Sequence, residues 1–299
     1  MDWHAWTWAK RSVELLLRPT SRAEAPSDRS FRCIFVLPMQ RPLDVTLEEL
    51  HDQYNRREFV RDDPIRIPHR FTSRDDREVA GFLTATIAWG GRKQILRSAR
   101  ELCDRMDNAP ADFVRHASER DLESLAGFVH RTFNGQDLVD FVRAIRRLYT
   151  THGGIGTFFE SKYEETGSIA ATLSAFRMAF LQAPHGRHAE KHLSSVDAGS
   201  ACKRLNLYLR WFVRRDNRGV DFGLWRRIPP SALMLPLDVH TARAGRELGL
   251  LTRGRNDWNA VVEITDSLRA FDPVDPIRFD LALFGYSASL GKRRARATE

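Results

Sequence analysis

The chain has 299 residues, 42% of them hydrophobic, enough to bury a sizeable core in one large domain or in two helical lobes that share a cleft. Its 47 basic against 39 acidic residues give a net charge of +8 and a pI near 9.8, a balance that favours polyanionic partners. Three scattered cysteines (Cys33, Cys103, Cys202) suggest neither a disulfide framework nor a thiolate metal site. No apolar run approaches the roughly 20 residues of a membrane span, and the N-terminus lacks a signal-peptide core, so a cytoplasmic protein without a membrane partner is expected.

Residues 1–38 differ in composition from the rest. They carry three Trp in the first eight positions, a VELLL run, a polar SRAEAPSDRS stretch and the strand-like FRCIFVL, with Met39 directly after. They are set apart as an N-terminal extension, and composition leaves open whether they belong to the fold. From Leu43 onward the pattern is helical, and residues 39–290 are taken as one helical domain of two lobes, followed by a basic tail at 291–299. TLEELHDQYN has Thr46 and Glu49 at capping-box spacing. DDPIRIPHRF, with Pro64 and Pro68, is expected to be extended. In the next stretch Val79, Phe82, Leu83, Thr86 and Ile87 keep helical spacing, which predicts two helices broken at Gly90-Gly91. Further helices are predicted at 110–117, 137–150 and 168–182, with loops at FVHRTFNGQD, THGGIG and LSSVDAGS. Period-2 runs are missing beyond residue 37, so the fold class is all-α.

The chemistry concentrates between Gly199 and Leu251. Only six of the 47 basic residues are lysine, and one of them, Lys203, stands near the start of the helix that begins GSACKRLNLYLRWFVRR. Cys202, Leu205, Leu209 and Phe212 form its apolar face; Lys203, Leu207, Arg210 and Arg214 form a second, basic stripe. A lysine near a helix N-terminus is electrostatically misplaced unless it meets a carboxylate. Unlike guanidinium, an amine can lose its proton and attack carbon. Asp238, after Pro236 and before the amphipathic VHTARAGRELGLL, has the position of an N-cap, where the first-turn amides hold a carboxylate ionised. PHGRHAEKH sets His185, His188 and His192 at i, i+3 and i+7; with no Cys or well-spaced further ligand evident, phosphate contact is the functional reading and no metal is expected. Trp211 and Trp225 are assigned to the core, and Trp89, beside the glycine pair, to a pocket.

PLDVHTARAGRELGLL resembles the segment of the helix-hairpin-helix DNA glycosylases, endonuclease III among them, in which a catalytic Asp opens a helix. Lys203 matches the nucleophilic Lys of the bifunctional members. DPIRFDLALFG is similar to a late segment of the 8-oxoguanine glycosylases, which implies that Asp280 and Phe284 contact and stack on an extruded base. FLTATIAWGGRKQI resembles their early pocket-lining helix, with Trp89 and Gly90 at the pocket. Residues 46–288 also resemble a bacterial family of uncharacterised proteins that carries DPIxIPHRF, GFVHRTFNG, GSACKRLN, DFGLW and PLDVH. The chain departs from the glycosylases in its hairpin, SSVDAGSACK, with Gly199 its single glycine. No four-Cys cluster follows, which excludes an iron–sulfur cofactor. Gly90 stands where the 8-oxoguanine enzymes carry a base-contacting Gln, so the resemblance leaves the excised base unspecified.

Together these features imply a base-excision DNA glycosylase with AP-lyase activity. It acts as a monomer on double-stranded DNA with a damaged base, at the nucleoid and without a cofactor. Lys203 and Asp238 are its catalytic residues, Trp89, Gly90, Asp280 and Phe284 its base pocket, and Gly199, Ser200, Arg210, Arg214 and His240 its contacts to the DNA backbone. A non-catalytic helical nucleic-acid-binding protein on the same scaffold is the alternative.

Overall fold

The computed structural model describes residues 43–297, with side chains to residue 288, and the 1–38 stretch lies outside the described residues. Among these the structure is helical almost throughout. In chain order the helices are α1 (Leu43–Tyr54), α2 (Arg74–Thr86), α3 (Arg92–Arg105), α4 (Pro110–His116), α5 (Glu119–Glu123), α6 (Gly135–His152), α7 (Ile155–Thr166), α8 (Ile169–Phe180), α9 (Arg187–Glu190), α10 (Lys203–Val213), α11 (Val239–Glu247), α12 (Trp258–Arg269) and α13 (Asp280–Ala297). The backbone of α13 continues into the stretch expected to be a basic tail. The described residues fall within one compact unit.

The interruption expected between α2 and α3 is present. Ser73 caps α2 by accepting from the Asp76 amide, and the helix stops before Gly90, whose φ of +99° places the chain in a region that disfavours side chains. α2 buries Val79, Phe82 and Leu83 and packs across α10, where Phe82 meets Tyr208. Gly81 is required at that crossing, because a Cβ there would meet the Phe212 ring at 2.7 Å. Tyr208 donates to the Glu78 carbonyl at 2.9 Å and seals the same seam. Around it Phe82, Phe141, Phe159, Phe176, Phe180, Tyr208, Phe212 and Trp225 pack as an aromatic core with centroid separations of 4.4–6.2 Å where they touch. Trp211 and Trp225 are fully buried, as expected of them.

Three local expectations are corrected. α1 begins at Leu43, so Thr46 stands inside its first turn rather than at the cap. The DDPIRIPHRF segment is not extended: Pro64–Arg66 and Pro68–Arg70 are 3-10 turns with proline at the start, where its fixed φ suits the turn and its missing N–H costs nothing. The FVHRTFNG loop holds a short antiparallel hairpin, β1 (Val129–His130) with β2 (Phe133–Asn134), turning through Arg131 at φ 55°.

Candidate active site

Lys203 and Asp238 face one another across a cleft of about 770 Å³. Lys203 is the first residue of α10, and its Nζ lies 3.7 Å from Asp238 Oδ2 while donating to the Ala88 carbonyl at 3.3 Å. That carbonyl belongs to the segment that leaves the C-terminal end of α2, where the helix dipole favours a cation. The next residue repeats the pattern, with Arg204 Nη1 donating to the Thr86 carbonyl at 2.6 Å. Burial lowers the Arg204 guanidinium to about 10, which still leaves it a cation at neutral pH. A lysine awkward at the head of its own helix is thus held by a carboxylate and by the tail of another helix.

Asp238 is the N-cap of α11. Its Oδ1 accepts from the His240 amide at 2.8 Å and the Thr241 amide at 2.9 Å, and Thr241 Oγ1 accepts in return from the Asp238 amide at 2.8 Å. This reciprocal box fixes the carboxylate and directs Oδ2, which the cap does not use, at Lys203. The side chains of Lys203 and Asp238 retain 30% and 21% of their exposure, so the pair is reached from solvent.

The cleft's walls are aromatic and cationic. On one side Trp89 stands edge-on to His130 at 5.1 Å, with the Arg204 guanidinium 4.9 Å above its ring. On the other the Arg92 guanidinium lies 4.6 Å over Phe284 and 5.2 Å over Phe59, and His240 meets Phe284 at 5.4 Å. Trp89, Gly90, Asp280, Phe284, Ser200 and His240 all line the cleft. Gly90 presses against Arg131, whose guanidinium nitrogen would lie 2.9 Å from an added Cβ.

The backbone-contact assignments of Arg210 and Arg214 are overturned. Both residues are 3% exposed. Arg210 pairs with Asp280 and, at 3.2 Å, with Asp221; Arg214 reaches Asp275 at 2.9 Å, Asp216 at 2.7 Å and Asp221 at 3.0 Å. Guanidinium forks committed to buried carboxylates cannot hold phosphates. Asp280 accordingly serves first as the partner of Arg210. Burial, opposed by that guanidinium, raises its carboxyl to about 6, and the neighbouring Asp238 charge adds to the rise. The hairpin assignment changes too, because the Gly199 amide donates to the Val196 carbonyl at 2.7 Å and the Ser200 amide to the Ser195 carbonyl at 3.0 Å. Gly199 is exposed but does not line the cleft. Arg92, Arg204, Thr241 and Phe59 join the site without having been singled out by the sequence; only Thr241, three residues after a capping Asp, carries a local signal.

Fold and site define a helical protein with an amine–carboxylate pair in an aromatic, cationic cleft. The family model described as protein of unknown function (DUF2400) matches residues 63–289, most of the chain, and the chain belongs to that family. No curated protein and no solved structure matches it.

Proposed function

We propose that the cleft receives a nucleotide flipped out of duplex DNA and that the protein is a base-excision DNA glycosylase with lyase activity. The observation that carries this reading is the 3.7 Å approach of Lys203 Nζ to Asp238 Oδ2 in a cleft walled by Trp89 and Phe284. That separation is one bridging water or a small side-chain rotation from proton transfer. Asp238 takes the proton that the Lys203 ammonium must lose. The amine nitrogen then bonds to the sugar C1′ as the bond from C1′ to the base breaks, and the base leaves with the bonding pair and is protonated. Asp238 passes that proton on to the departing base, and the carboxylate so restored stabilises the cationic sugar. Opening of the sugar ring gives a Schiff base, from which elimination of the 3′ phosphate cuts the strand. With Arg210 and Arg214 buried, Arg92 in the cleft wall and the exposed Arg131 beside Gly90 become the cations available to phosphates, and duplex binding should weaken steeply with salt.

Borohydride reduces a Schiff base to a stable amine. Incubation with oxidised, deaminated and abasic duplexes under borohydride should therefore leave a covalent protein–DNA adduct on at least one of them. Lys203→Gln should abolish the adduct while keeping most of the DNA affinity. An unchanged adduct in this variant would exclude Lys203 as the nucleophile, and no adduct on any duplex would overturn the proposal.

A further inference from the structure

A second group of chemistry-bearing side chains lies behind Trp89, where α6 meets the segment around α9. Asp137 sits in the first turn of α6, buried and oriented by the Asn134 amide, which donates to its Oδ2 at 2.9 Å. His188 Nδ1 stands 2.7 Å from Asp137 Oδ1, and His192 Nε2 stands 3.3 Å from Asp137 Oδ2. The ligand atoms of all three residues lie within 4.8 Å of one another. The i, i+4 spacing of the two histidines brings both rings to Asp137, with their centroids 5.5 Å apart.

The hydrogen bond that His188 Nδ1 shares between the two Asp137 oxygens, at 2.7 and 2.9 Å, does not account for His192. His192 is 5% exposed, yet among the described residues its Nε2 has no hydrogen-bond partner despite its closeness to a carboxylate oxygen. Such a group is expected to be satisfied, whether by protein, water or an ion. A spacing of 3.3 Å also matches the edge of a tetrahedron whose metal–ligand bonds are about 2.0 Å long. The Asn134 amide supplies the outer hydrogen bond that commonly orients a ligating carboxylate.

We propose that Asp137, His188 Nδ1 and His192 Nε2 bind a divalent cation of the zinc class. Two imidazoles with one carboxylate favour zinc over calcium or magnesium, which prefer oxygen. The half-exposed His188 side leaves room for a water as fourth ligand. Lys191 Nζ lies against His188 Nε2, the nitrogen turned away from the cation. Metal at Nδ1 places the proton on Nε2, so the exposed Lys191 swings into solvent on binding. The ion ties the α9 segment to α6 and backs the cleft, because the His192 ring stacks on Trp89 at 5.7 Å and 22°. The proposal is independent of the chemistry assigned to Lys203.

The full-length protein, stripped with a chelator and dialysed, is titrated with zinc chloride and separately with cobalt chloride. One equivalent of zinc should bind and raise the melting temperature, cobalt should produce visible absorption bands, and a tenfold excess of calcium or magnesium should not compete. His188→Ala removes a half-exposed ligand without opening the core; it also removes the His188–Asp137 hydrogen bond, so the metal-free variant should melt somewhat below the metal-free parent, and zinc should raise its melting temperature far less than it raises the parent's. The variant should bind zinc about 100-fold or more weakly and lose the cobalt bands. Absence of stoichiometric zinc binding by the parent chain would overturn the site. So would binding that persists unchanged in both His188→Ala and Asp137→Asn, since the ion would then sit elsewhere.

Discussion

Asp238 divides its two oxygens between two tasks, Oδ1 holding the head of α11 and Oδ2 facing Lys203. The division predicts how variants should part. Asp238→Asn keeps an oxygen for the amides, so its folding free energy should fall by less than about 1 kcal/mol, while the rate of adduct formation should fall by about 100-fold or more. Asp238→Ala removes the cap as well and should cost on the order of 1 kcal/mol in urea unfolding. Equal trapping rates in Asp238→Asn and the parent would reduce the residue to a cap. The capping role was legible because Pro236 and an amphipathic run bracket the aspartate. The approach of Lys203 was not: it depends on the carbonyls that α2 leaves at its end, more than a hundred residues earlier in the chain.

At the scale of the element, α10 separates what periodicity can and cannot decide. The spacing correctly grouped Lys203, Leu207 and Arg210 on one face, and all three line the cleft. Periodicity does not say whether a charged face meets solvent or buried counter-charges. Asp221, Asp275 and Asp280 come from a later loop and from the approach to α13, so the burial of Arg210 and Arg214 had no local signature. Breaking such a pair strands a charge in the core: Asp221 is completely shielded at its side chain. Arg210→Met or Arg214→Met should therefore destabilise the fold by about 3–5 kcal/mol. Neither should change the salt dependence of duplex binding in any variant population that remains folded. A stable Arg214→Met protein with a shallower salt slope would restore the phosphate role.

Across the whole molecule, the helical class followed from the absence of period-2 runs, and α2, α3, α4, α6 and α8 lay close to their predicted spans, whereas α5 and α7 had not been predicted. The Asp137–His188–His192 cluster was hidden, because the third residue stands 51 positions before His188 and no local spacing reports it. That cluster, with other buried histidines, sets the acid response of the fold. His51, His69, His130 and His192 are each lowered first by burial, His192 to about 4 from an ordinary 6.5. The unfolded chain therefore takes up these protons at higher pH than the native one, and stability present above about 6.5 is lost as pH falls toward 4. Asp280, raised to about 6, works in the opposite sense, since the native state then binds its proton more readily than the unfolded chain. Four histidines against two raised carboxyls, Asp275 and Asp280, give a net loss on acidification. For His192 alone the loss amounts to on the order of 2 kcal/mol by pH 5. Melting temperatures measured in chelator should fall between pH 7 and pH 5. In His192→Gln the starting value should be lower and the fall shallower, because the substituted amide takes no proton. An acid response of the same depth in that variant would remove His192 from the account and assign the titration to the other three histidines.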